Sequence, residues 1–419
     1  MMEGRGIATP SMLHLSSLTK ESRMTNDETH DPRSSLEFRD SFDIRHSSFD
    51  ISRPRLLIAC EGMQSAVALM RVLQFREMFE ARYATEIVFR VPPWLVRGHG
   101  PKWAWFPRQV IRGPVYRGLI AARERGIVRR ARRADLVYVV GVPSLTMYQR
   151  LRETTTAPIV MDMIDGLWLP YHRQFGWESL EEMYGCCDAV ICENRYTAEF
   201  AGRHHPHVSI VPNAPQFESF DRQRDKPRAP RRETVLGWVG SHDTAGALYR
   251  IWEPLERLFA GHSDLHLRVL GALPERLPAF EKVRASVVPR YDQQTMVREI
   301  LEMDIGLCPL FHVEDALTRG SSKTRIYMCG EAAAAAERVG ENESLVTHGV
   351  NGMLAETGEE WFESLSRLVQ DPPFRRQLAG NALELMRREY SAERCFARLS
   401  AALDECLRRR GAGEDLQSG

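Results

Sequence analysis

The chain has 419 residues, 43% apolar and 27% charged, which fits two globular domains with tails better than a single core. Its 56 basic and 56 acidic residues cancel, so no global field draws it to nucleic acid or membrane, and any such contact must come from a local patch. No apolar run approaches a membrane span. The eight cysteines sit mostly in apolar runs without disulfide or zinc spacing, which points to a reducing, cytosolic setting.

Residues 1–52 are rich in Ser, Asp, Glu, Arg and His, the pattern of a disordered extension. Arg55–Cys60 reads as a short strand, followed by Glu61-Gly62 and helical spacing from Gln64 to Arg82. Strands are predicted at Glu86–Val91, Asp135–Gly141, Pro158–Asp162, Ala189–Cys192 and Val208–Pro212, with a helix from Ser144. This first unit spans 53–216. A linker, 217–233, contains the charged, proline-bearing run Asp221–Arg232. The second unit, 234–392, repeats the alternation: strand Val235–Gly240, helix Ala245–Phe259, strand Leu265–Gly271, helix Gln293–Glu302 and strand Ile305–Leu310. An alanine-heavy helix around Thr324–Ala336 follows, then amphipathic helices at Glu359–Val369 and Pro373–Arg388. A last helix, Ala392–Arg410, leads into the tail, 393–419. Alternating strands and helices imply an α/β fold: two parallel sheets, each covered on both faces.

The Gly/Ser loop at 318–325 places Arg319, Lys323 and Arg325 where a strand hands over to a helix. Backbone N–H groups and the helix dipole favour an anion there, and a nucleotide diphosphate fits. Gly240-Ser241 closes a strand and opens a helix, so it can converge with that loop at the top of one sheet. Asp162 and Asp165 end a strand of the first unit. Asp165, further past the strand, is the better placed to orient an acceptor hydroxyl or take its proton, although a helix-capping Asp is the plain alternative. Residues 102–133 carry ten cations against one acid, beside Trp94, Trp103, Trp105 and Phe106. That mixture suits an anionic membrane surface or a lipid-linked phosphate, and no nucleic-acid recognition motif accompanies it. His204-His205-Pro206-His207 reads as a surface loop, not a metal tract.

In order and spacing, Gly237–Ser241, Leu267–Gly271, Asp304–Leu310, Thr318–Gly320 with Lys323, Tyr327-Met328 and Val339–Gly352 resemble the retaining "group 1" glycosyltransferases. The resemblance covers roughly 54–400. It implies the GT-B architecture: two tandem Rossmann-like domains, a deep interdomain cleft and a C-terminal helical tail. It also implies transfer of a sugar, of hexosyl type, from a nucleotide-diphospho-sugar donor to a glycan, lipid-linked or small-molecule acceptor. No cofactor or metal is implied. On this resemblance the loop at Gly62 closes over the donor phosphates, the turn Gly340-Glu341-Asn342 meets the donor, and Glu341 stands in for the donor-sugar carboxylate. The cysteine usage and the 102–133 stretch, not the resemblance, give the expected setting: cytoplasmic, with peripheral contact at the inner membrane surface. The chain departs from the family at Ile326, where a Glu usually precedes Tyr-Met, and at Glu331, where a Gly is usual. A catalytically weak binding homologue and a GT-B sugar-nucleotide epimerase are the alternatives.

Overall fold

The computed structural model describes residues 53–63, 65–92, 113–169, 179–225, 232–277 and 279–418. The extension 1–52, the start of the 102–133 basic stretch and its neighbouring tryptophans lie outside the described residues.

The first domain runs β1 (Arg55–Gly62), α1 (Ala66–Arg71), α2 (Arg76–Arg82), β2 (Ala84–Val91), α3 (Pro114–Ala131), β3 (Leu136–Val140), α4 (Leu145–Thr154), β4 (Ile159–Met163), α5 (Leu180–Gly185), β5 (Ala189–Cys192), α6 (Arg195–Gly202) and β6 (Val208–Ile210). Its six strands lie in the order β2-β1-β3-β4-β5-β6, all parallel. Every residue of β3, β4 and β5 is buried, as expected of strands covered on both faces.

A helix, α7 (Phe217–Arg224), then occupies part of the expected linker; Phe220 is buried in the core of the second domain. That domain runs β7 (Thr234–Val239), α8 (Trp252–Gly261), β8 (Leu265–Leu270), β9 (Ala285–Val288), α9 (Gln293–Leu301), β10 (Ile305–Cys308), α10 (Glu314–Thr318), α11 (Ser322–Cys329), β11 (Ala333–Glu337), α12 (Glu341–Leu345), β12 (Met353–Ala355), α13 (Gly358–Gln370) and α14 (Pro372–Glu389). Its sheet, order β12-β11-β10-β7-β8-β9, is also six-stranded and parallel.

The last helix, α15 (Ala392–Ser418), returns to the first domain. Its Cys395, Phe396, Leu399, Leu403 and Cys406 enter the core around Phe75, Phe79 and Tyr138. The Phe396 and Phe79 rings meet edge-on at 5.0 Å. Each such buried side chain contributes roughly 1.5–3 kcal/mol, so the helix is a structural part of the first domain.

Three expectations need correction. The alanine run is a strand, not a helix: α11 ends at Cys329, and Ala333–Glu337 forms β11 between β10 and β12. Alanine's helix propensity yields to a fully buried central-strand position. The helix expected at Ala245–Phe259 starts as a 3-10 turn, Ala245–Ile251, before α8. The expected helix over Gln64–Arg82 breaks at Val72 into α1 and α2.

Candidate active site

The second sheet directs β7 and β10 toward the loops singled out above. Gly240 follows β7; its N–H donates to the Leu270 carbonyl at 3.0 Å, and its own carbonyl accepts from Tyr291 Oη at 3.2 Å. Ser241 is exposed, and its N–H donates to Thr244 Oγ1 at 3.2 Å. The loop before α11 turns through Ser321, whose φ of 53° is left-handed.

Lys323 lies in the first turn of α11 and reaches across to the β7 loop. Its Nζ is 3.3 Å from Thr244 Oγ1 and 4.7 Å from the centroid of the buried Trp238 ring. Among the described residues it has no carboxylate partner. Burial pushes its pKa down, because an ammonium loses hydration there.

The neighbouring cations are already engaged. Arg319 pairs with Asp315 at 2.6 Å. Arg325 is 1% exposed and held by Glu193 at 3.4 Å and Glu341 at 3.3 Å. Gly340 has a φ of 60° and leads into α12. Glu341 is shifted upward by burial, opposed by Arg325. Asn342 is buried and pins the turn from behind: its Oδ1 accepts from Thr324 Oγ1 at 2.8 Å, and its Nδ2 donates to the Glu337 carbonyl at 3.1 Å.

From the first domain, Asp165 follows β4 with a φ of 59°. Burial pushes its carboxyl up to about 6, with Glu193 adding repulsion and Arg319 opposing. Asp162 points back into the domain, fully buried against Tyr138 and Arg71. Gly62 ends β1, while Glu61 beside it is held by Arg90 at 2.9 Å. His204, Pro206 and His207 are exposed in the loop before β6, as expected, while the His205 ring turns inward to the Cys187 carbonyl at 3.2 Å.

Residues that sequence reasoning missed join the two domains. Glu193 and Asn194 follow β5. Asn194 caps α6, and its Nδ2 also donates to the carbonyls of Leu317 at 3.3 Å and Thr318 at 2.9 Å. Trp168, stacked on Phe200 at 3.8 Å, donates from Nε1 to Glu314 at 2.8 Å. A cavity of about 160 Å³ lies at this junction, between Arg195, Tyr196 and Glu199 on one side and Gly340, Glu341 and Ser344 on the other. The sequence held one signal, a carboxylate immediately past a buried strand, where open α/β sheets bind ligands. Among the described residues no group of three or more His, Cys, Asp or Glu is placed to hold a metal.

The chain matches solved structures over 84% of its length. A glycosyltransferase from Rickettsia africae superposes with a TM-score of 0.62 at 10% identity, covering 99% of that chain. Sucrose-phosphate synthase from Thermosynechococcus elongatus gives 0.59 at 13%, also over 99%. Anabaena HepE, solved with UDP and glucose, gives 0.56 at 14%, again over 99%. The fold is GT-B. At these identities the GT-B likeness is one of architecture, and no family model and no curated protein matches the chain.

Proposed function

We propose that this protein is a glycosyltransferase that moves a sugar from a nucleotide-diphospho-sugar to a glycan, lipid-linked or small-molecule acceptor. The observation that carries the reading is Lys323: a part-buried ammonium with no carboxylate partner among the described residues, at the start of α11 and facing the Gly240 loop. Such a group is costly unless an anion meets it. The N-terminal N–H groups of α11 add to the same field. That HepE is solved with UDP and glucose in the same fold is consistent with a nucleotide donor.

In this reading the bond from the sugar's anomeric carbon to the diphosphate breaks, and its electron pair leaves with the diphosphate. Lys323 and the α11 amides offset the charge that develops there. The acceptor oxygen bonds to the anomeric carbon. Asp165 orients the acceptor hydroxyl and, once ionised, takes its proton. Glu341 and the Gly340 turn face the sugar. Retention of configuration and a hexosyl donor belong to the proposal, as does a reaction that needs no cofactor or metal.

We place the enzyme at a cytoplasmic membrane surface through α3. Its Arg117, Arg123, Arg125 and Arg129, and Arg132 and Arg133 just past its end, are exposed, whereas Arg130 pairs with Glu86 at 2.6 Å. The buried residues Ile120, Glu124, Ile127 and Ala131 hold the opposite side of the helix to the domain. Among the described residues no helix is long and apolar enough to cross a membrane.

Thermal unfolding with UDP, GDP, ADP and CMP in separate samples tests the donor class. A nucleotide at 100 times its dissociation constant adds about 2.7 kcal/mol to the folded state. One nucleotide shifting the transition supports the reading; no shift with any of them removes it. A non-catalytic binding role is the second reading, favoured by Ile326 at the place of the usual Glu. Binding without sugar transfer to any acceptor selects it.

A further inference from the structure

Arg325 is given no part in the reaction described above, and both of its terminal nitrogens face carboxylates. Nη1 faces Glu193 of the first domain and Nη2 faces Glu341 of the second, at 3.4 and 3.3 Å. Its guanidinium carbon stands 4.8 Å from the ring centroid of Tyr390. Tyr390 ends α14, just before the chain crosses back to the first domain in α15. One cation therefore joins the first domain, the donor-side turn and the crossover.

Glu193 has little freedom to find another partner. Its side chain is 2% exposed. Gly320 lies so close that a β-carbon there would stand 1.7 Å from Glu193 Oε1. A buried carboxylate in this position depends on its counter-charge. Arg71, itself fully buried, also feels the Glu193 charge. Glu341 opens α12 directly after Gly340, so its ion pair with Arg325 ties that turn to the guanidinium, beside the hydrogen bonds of Asn342.

We propose that Arg325 is a positioning residue that couples the apposition of the two domains to the conformation of the Gly340-Glu341 turn, through the two carboxylates sharing its guanidinium. The coupling stands on the ion pairs alone. Its consequence for ligands rests on the reading under Proposed function, in which that turn meets the donor sugar. Glu193, in the first domain, then helps set the preference for a nucleotide-sugar over the bare nucleotide.

Amide hydrogen exchange on the full chain tests the coupling, which must be reciprocal. Glu193→Gln should speed exchange over residues 339–346 by about five-fold or more, although the substitution lies in the other domain. Glu341→Gln should in turn speed exchange over residues 192–198. The neutral pair Glu193→Gln with Arg325→Met removes both fully buried charges. It should unfold close to the wild-type midpoint yet keep fast exchange at 339–346, which separates lost coupling from lost stability. The proposal is overturned if Glu193→Gln perturbs only its own surroundings, or if the neutral pair restores wild-type exchange at the turn. A second readout is the ratio of UDP to UDP-glucose dissociation constants, which should fall toward one in Glu193→Gln with UDP affinity unchanged. A wild type that binds neither ligand removes a UDP-sugar donor and leaves the exchange result to judge the coupling. Ligand binding without reciprocal exchange sinks the coupling alone.

Discussion

Lys323 rests over the face of Trp238, with Nζ 4.7 Å from the ring centroid, and its hydrogen-bond partner there is the Thr244 hydroxyl at 3.3 Å. Trp238 is the penultimate residue of β7 and has no exposed surface. A cation on an aromatic face gains roughly 0.5–2 kcal/mol, less than the cost of stripping an ammonium of water. The ammonium therefore sits there at a cost to the folded state, which on the proposed function a bound diphosphate offsets.

Lys323→Met should make the ligand-free protein more stable by on the order of 1 kcal/mol and abolish stabilisation by nucleotide. Burial lowers the pKa of Lys323, so the folded state binds its proton less tightly than the unfolded chain. The penalty is fully present below the depressed pKa and vanishes as pH rises through the ordinary value of 10.5. Urea unfolding across the alkaline range checks this: the advantage of Lys323→Met should shrink with rising pH.

Asp165 gives the opposite pH signature. Its folded pKa of about 6 lies above the ordinary 3.8. The stability from its protonated form is fully present below the unfolded value and lost as pH rises through the folded one. Asp165→Asn should therefore stabilise the protein at neutral pH, by up to roughly 3 kcal/mol, and change little near pH 4. Asn also tolerates the left-handed backbone at this position. If Asp165 accepts the acceptor's proton, the same variant loses transfer activity. Paired unfolding and transfer assays check both outcomes.

The two-domain alternation was legible because buried parallel strands are continuous apolar runs, as in Leu136–Val140 and Ala189–Cys192. Ala333–Glu337 was not, because local propensity opposes the strand that packing imposes. The cationic loop was legible as a group, but its division of labour was not. Arg319 pairs locally with Asp315, whereas Lys323 and Arg325 take partners from other segments, Thr244 and the pair Glu193 and Glu341. Glu193 itself stood beside a readable strand, yet its value depends on Gly320, more than a hundred residues away in sequence.

Gly320 and Gly166 mark where the domains touch without side chains. A β-carbon on Gly166 would stand 2.5 Å from Thr318 Cγ2. Gly166→Ala should cost about 1–3 kcal/mol by overpacking. Thr318→Ser, which removes that methyl, should recover part of the loss. A double-mutant cycle by denaturant unfolding measures the coupling; strict additivity would show that the contact carries no strain.

Glu331 occupies a left-handed position, φ 59°, which explains why the resembling family has Gly there. Here an ion pair with Arg224 accompanies the strained backbone. Glu331→Gly should be neutral or stabilising by up to about 1 kcal/mol, whereas Glu331→Val should destabilise by more than that. Urea midpoints of the two variants decide between backbone and charge as the governing factor.

The most direct test is isothermal titration of UDP, GDP and ADP into the wild type and into Lys323→Met. Saturable binding of at least one nucleotide to the wild type is expected, with a loss of at least about ten-fold in affinity, roughly 1.4 kcal/mol, in the variant. Equal affinity in both proteins, or no binding of any of the three to the wild type, would contradict it.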